Sequence, residues 1–203
     1  MLALLLPHAL GMGTRRQARE RAVQFLFQND HNPPEDLGET LDHFWRYQRP
    51  LVIELLEGKT NWGQEKALPP PTDDDLAIRD FAEPLVLGVL ENIKEIDNRI
   101  QDLAANWDLS RMAGVDRSIL RLAAYEMLYR DDIPPVVAIN EAVDIAKKFS
   151  TDESGKFVNG ILDNMAARLS RPRHSTEMTA KPVEPANEVK LQPLPKPSTP
   201  EVS

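Results

Sequence analysis

"GVDRSILRLAAYEMLYR", residues 114–130, decides the fold. Read as a helix, it is apolar over most of its circumference, and a helix without a broad polar face has to be covered on most sides by other elements. It is therefore expected to be the most buried helix of a helical domain. Downstream, "DDIPPVVAINEAVDIAKKF" puts prolines where a first helical turn tolerates them and lysines in the last turn, where the helix dipole favours cations. That spacing predicts a helix over about 134–149. A final helix over 153–169 turns Phe157, Ile161, Leu162 and Met165 toward the core, and Gly160 within it is expected to let another helix approach closely.

Upstream the same periodicity holds. Ile93, Ile96, Ile100, Leu103 and Trp107 form an apolar stripe on a charged rod, and Leu76, Ile78, Phe81, Leu85, Val86 and Val89 form another behind the acidic start Asp73, Asp74, Asp75. Pro84 is expected to kink that helix or to mark a boundary near its start. Residues 14–29 read as a helix with a Thr14/Gln17 capping box and inward Ala18, Ala22, Phe25 and Leu26. No alternating run is long enough to build a sheet, so the fold class is all-α.

Texture sets the domain limits. Residues 1–12 read as an N-terminal extension, with Met12 opening "MGTRR"; their short apolar run lacks a cationic start and is too short to span a bilayer. Residues 13–169 form one helical domain. Within it, residues 30–71 are a variable, proline-punctuated connection carrying two short helical candidates, 37–48 and 51–58. Residues 170–203 hold seven prolines and no periodicity, the composition of a disordered tail.

Composition excludes several classes of chemistry. The 203-residue chain has no cysteine, so disulfides, thiolate metal sites and cysteine nucleophiles are out. His8, His31, His43 and His174 stand far apart, with no carboxylate or second histidine at metal-ligand spacing, and no Gly-rich phosphate loop or nucleophile elbow is present. No metal, no cofactor and no catalysis are expected. Carboxylates such as Glu141 and Asp144 read as solvated helix faces.

The stretch "GTRRQARERAVQFLF", residues 13–27, is the exception in an acidic protein of net charge −8, because it carries four arginines between residues 15 and 21. At 100° per residue Arg16, Arg19, Val23 and Phe27 share one stripe, with Arg15 beside it and Arg21 turned away toward solvent. Arginines that neutralise phosphates next to an aromatic face that stacks a base are what a single-stranded nucleic acid needs. The spacing equally fits a core Phe27 behind a wet first turn. Arg15 and Arg16 nevertheless crowd the positive end of a helix dipole, at about 0.3–1 kcal/mol each, and a bound phosphate would offset that cost. Residues 72–169 carry 11 Lys and Arg against 19 Asp and Glu, so any RNA contact must be local.

Three segments carry a resemblance. "TRRQARERAVQFLFQ", "VDRSILRLAAYEML" and "IPPVVAINEAVDIAKKFSTDESGKFVNGILD" resemble, in order and spacing, the signature regions of the NusB family of bacterial transcription antitermination factors. The similarity is close over 13–29 and 72–168, weak over 30–71 and absent in the tail. It implies two small helical bundles packed together, about seven helices in all. It also implies a cytoplasmic protein that binds the boxA element of ribosomal RNA operon leaders with NusE, a small-subunit ribosomal protein, and joins the elongating RNA polymerase. The family pattern assigns RNA contact to Arg15, Arg16, Arg19, Phe27, Glu153, Lys156 and Phe157, and the partner-facing side to Asp116 and Arg121. Gln17 stands where some relatives carry another basic residue, and Phe27 where relatives often carry tyrosine. Self-association, as in some family members, is a further implied partner state. Two other readings stay open: a helical adaptor that binds protein alone, and an accessory domain related to ribosomal RNA methyltransferases, whose catalytic α/β domain has no counterpart in the sequence.

Overall fold

The computed structural model describes residues 12–49, 52, 68–104 and 108–169. The extension before Met12, most of the 51–58 candidate helix, Trp107 and the tail from 170 lie outside the described residues. Those described contain seven α-helices and no strand: α1 Met12–His31, α2 Leu37–Tyr47, α3 Asp73–Glu91, α4 Ile93–Leu103, α5 Gly114–Tyr129, α6 Pro135–Phe149 and α7 Asp152–Leu169, with a 3-10 turn at Leu109–Arg111.

Local chemistry fixes the helix ends. Asp36 caps α2 by accepting from the Glu39 backbone N–H at 2.9 Å. Thr72 and Asp75 form a reciprocal capping box at the start of α3. The box expected at Thr14 and Gln17 does not form, because α1 begins at Met12 and Thr14 already lies inside it. Pro84 does not end α3 either; it sits on the exposed side, where the carbonyl its missing N–H leaves free can turn to water. Asn92 alone joins α3 to α4, serving as C-cap of one and N-cap of the other.

α5 occupies the middle and packs against α1, α3, α4, α6 and α7. It buries Ile119, Leu120, Leu122, Ala123 and Ala124 as the apolar reading of 114–130 requires. α1, α2 and α3 gather on one side, with Phe25 and Phe44 edge to face at 5.2 Å, and α4, α6 and α7 complete the other. A single apolar core runs through both groups. The close helix approach falls at Gly88 of α3, not at Gly160: a Cβ on Gly88 would meet the Tyr125 ring at 2.1 Å, whereas Gly160 is exposed with nothing nearby.

Candidate nucleic-acid interface

The polar stripe of α1 divides by burial. Val23 and Arg19 in its middle are buried, and its two ends, Arg15 with Arg16 and Phe27, reach the surface. Arg16 leans onto α6, where Nε and Nη2 donate to both oxygens of Glu141 at 3.0 and 2.8 Å and Nη2 also reaches Asp144 at 2.8 Å. The bond to Glu141, working against some burial, holds the guanidinium firmly charged. Glu141 is thus an ion-pair partner, not the solvated carboxylate its sequence position suggests. Arg15 leans the other way and stays exposed, its guanidinium 5.6 Å from the Phe81 ring centre on α3.

Arg19 is not on the RNA edge where the family pattern puts it. It is only 4% exposed, and its Nε donates to Glu126 at 2.9 and 3.2 Å; Glu126 itself is 1% exposed. Arg19 also lies 5.2 Å from Phe81, so three guanidinium groups, of Arg15, Arg19 and Arg130, share that ring. Arg21, expected in solvent, is half-buried and donates to Gln24 and Gln48.

Phe27 is 41% exposed, with its ring 4.3 Å from that of His31 one turn on. Both rings lie over Gly114 at the start of α5, where a Cβ would meet His31 Cε1 at 2.6 Å and Phe27 Cε2 at 3.1 Å. Two residues along α5, Asp116 is nearly buried. Its Oδ2 accepts from Ser154 Oγ at 2.9 Å and its Oδ1 has no partner. That bond brings the first turn of α7 alongside. Glu153 and Lys156 stand fully out from that turn, with Lys156 Nζ 3.9 Å from Glu153, and Phe157 is half-buried against the core. Arg15 and Arg16 on one side and Phe27, Glu153 and Lys156 on the other are therefore surface groups.

Arg121 is not on a partner-facing surface. Its fork takes both oxygens of Asp97 on α4 at 2.7 and 2.8 Å, and its Nη1 donates to Asp30 at the end of α1 at 2.8 Å. Arg117 grips the other oxygen of Asp30. Burial would push the Asp30 carboxyl up, but Arg121 and Arg117 more than reverse that and hold it below the ordinary carboxylate value. At Glu126 the balance is opposite, since burial outweighs the pull of Arg19 and raises its pKa.

These two carboxyls give stability opposite pH dependences in separate windows. Asp30, depressed from 3.8, contributes stability that is lost as pH falls below that value; Glu126, raised from 4.5, contributes stability that is lost as pH rises above it. Urea titrations across pH 2.5–7 are expected to show a shallower acid-side loss in Asp30→Asn and a shallower loss above 4.5 in Glu126→Gln. Unchanged slopes in both would contradict these environments.

Sequence reasoning missed His31, Lys148 and Phe149. Lys148 Nζ donates to both oxygens of Glu20 at 2.8 Å and lies 5.4 Å from the Phe149 ring, at the C-terminal end of α6. The signal was present in "KKF", which reads only as a dipole-matched last turn until α1 is laid beside it. Among the described residues no group of histidines and carboxylates could hold a metal ion, and no helix is long and apolar enough to cross a membrane.

Residues 16–167 match the family model described as the NusB family. The transcription antitermination protein NusB of Geobacter sulfurreducens is 43% identical over 158 residues, covering 78% of this chain and 97% of the relative. That of Bacillus licheniformis is 42% identical over 158 residues, covering 76% and 98%. Among solved structures, NusB of T. maritima is similar with a TM-score of 0.55 at 35% identity, over 75% of this chain and 90% of the other. A crystal structure of the antitermination factors NusB and NusE in complex with dsRNA is similar with a TM-score of 0.56 at 26% identity, over 78% and 99%.

Proposed function

Because the chain belongs to the NusB family, we propose that it is a transcription antitermination factor that binds boxA-type RNA of ribosomal RNA operon leaders together with NusE. It acts in the cytoplasm as a binding protein, without catalysis, and joins the elongating RNA polymerase. The observation that carries this reading is the exposed aromatic face of Phe27 on the same helix as the exposed Arg15 and the half-exposed Arg16, in a chain of net charge −8. Arg15 and Arg16 meet phosphates, Phe27 stacks a base, and Lys156 adds a third cation from α7. Glu153 can accept from a base amino group, and the exposed part of Phe157 supplies a further apolar contact. Asp116, which the family pattern puts on the NusE side, is nearly buried and would serve there indirectly, by holding the first turn of α7 through Ser154.

The arginine contribution is measurable through salt. Each phosphate contact with single-stranded RNA adds about 0.7 to the slope of log affinity against log salt, so Arg15→Ala with Arg16→Ala is expected to flatten it by about 1.4. Phe27→Ala is expected to weaken binding by about 1–3 kcal/mol per stacked base with only a modest fall in melting temperature, because the ring is 41% exposed and packs on His31 and not in the core. An unchanged slope with intact NusE binding would favour the protein-only adaptor, a reading that the engagement of Arg16 by Glu141 and Asp144 keeps in view.

A further inference from the structure

A groove of about 980 Å³ runs between α1, α2 and the start of α3, and it is cationic in a different way from the α1 edge. Most carboxylates on its walls are already committed: Asp42 to Arg79, Glu20 to Lys148, and Asp75 to the Thr72 cap, leaving Glu39. Three arginines on the same walls, Arg21, Arg46 and Arg49, have no carboxylate partner among the described residues. Among the described residues Arg21 donates only to the neutral oxygens of Gln24 and Gln48. Its burial outweighs the attraction of Glu20 and Asp75, so its pKa is lowered and its charge is under-compensated.

Arg49 is nine-tenths buried; its Nε donates to the Arg46 carbonyl at 3.1 Å and its Nη1 has no partner. Trp45 Nε1, on the same wall, is also buried and unpartnered. Native proteins pair nearly all buried donors, so two orphans beside three uncompensated guanidinium groups point to a ligand that brings acceptors and negative charge. His43, also on the groove wall, adds an exposed ring 4.5 Å from that of Tyr47. Cations with an aromatic face suit a nucleic-acid strand better than an acidic peptide, which has no bases to stack. Arg16, Gln17 and Lys148 also line the groove, so it shares Arg16 with the proposed RNA edge.

We propose that this groove is a second phosphate-binding site, which holds the backbone of the RNA flanking the element gripped by Arg15, Arg16 and Phe27. The proposal rests on the RNA-binding reading above. It assigns to Arg21, Arg46 and Arg49 a sequence-independent role, so RNA extending past the element gains affinity and salt dependence whatever its bases.

The test uses the full chain with NusE and two labelled RNAs, the boxA element alone and the element lengthened by about six nucleotides at each end, on the scale of one single-strand site. Anisotropy titrations at several salt concentrations are expected to give the longer RNA a slope steeper by about 1.4, corresponding to two phosphates. Arg21→Gln with Arg46→Gln removes that increment and leaves the short RNA unchanged, and Arg46→Gln alone, at an exposed side chain, removes about half without disturbing the fold. Equal slopes for the two RNAs in the unmodified protein, or losses that are the same for both RNAs in the variants, would overturn the proposal. So would an oligoglutamate peptide that binds the protein and loses affinity in the double variant, since the groove would then be a site for acidic protein. Absence of binding to either RNA would instead defeat the RNA reading itself, and this site with it.

Discussion

Arg19→Ala is expected to lower folding stability by about 3–5 kcal/mol, the usual cost of removing one partner from a buried ion pair. Glu126 is 1% exposed and, among the described residues, accepts only from Arg19, so without the guanidinium its carboxylate is left charged and dry or takes up a proton. At about 2–4 °C per kcal/mol for a domain of this size, the melting temperature should fall by roughly 6–20 °C. The companion change, Arg19→Met with Glu126→Leu, replaces the pair by apolar groups of similar volume and is expected to be near neutral or stabilising. That double variant should also keep its affinity for RNA and its salt slope, because neither charge reaches the surface. Thermal denaturation followed by circular dichroism, paired with an RNA titration, checks both statements. An Arg19→Ala protein that melts normally but loses salt dependence would return Arg19 to the RNA edge.

Arg121→Ala is expected to cost about 3 kcal/mol, near the low end of that range, because water can partly re-solvate the two carboxylates it leaves. Asp30 and Asp97 keep 18% and 27% of their side chains exposed. The loss should exceed that of an ordinary surface pair, about 0–1 kcal/mol, since Arg121 ties the end of α1 and the middle of α4 to α5 at once. Arg121→Lys retains the charge but not the planar fork and should recover only part of the loss. Urea denaturation measures both. Unchanged stability together with lost NusE binding would contradict the structural role and favour the partner-facing one.

The helices were legible because their apolar residues recur at helical spacing, and the buried α5 was legible because "SILRLAAYEML" leaves little of its circumference polar. The grouping of Arg16, Arg19, Val23 and Phe27 on one α1 stripe could likewise be read from helical phase, but not which of them is exposed, since the spacing fits a core Phe27 equally well. Burial of Arg19 could not, because phase puts Arg16 and Arg19 within 60° of each other and says nothing about which flank meets α3 and α5. Its partner Glu126 lies 107 residues away in a helix whose polar residues look incidental from sequence. The same holds for Arg121, whose partners Asp30 and Asp97 come from two other helices. Gly160 was misread for Gly88 because a helix pattern shows that a glycine is present, not that a tyrosine from α5 lies over it. The groove is not legible in the sequence because Arg46 and Arg49 fall in the irregular 30–71 stretch, where periodicity has least to say.

As proposed, this chain and NusE together hold boxA RNA on the α1 and α7 surface. Titrating labelled boxA RNA with the protein alone and with equimolar NusE tests it most directly. Saturable, salt-sensitive binding that tightens with NusE and weakens in the Arg15→Ala, Arg16→Ala protein is expected. A protein that forms a complex with NusE while the RNA remains free at every concentration would contradict it.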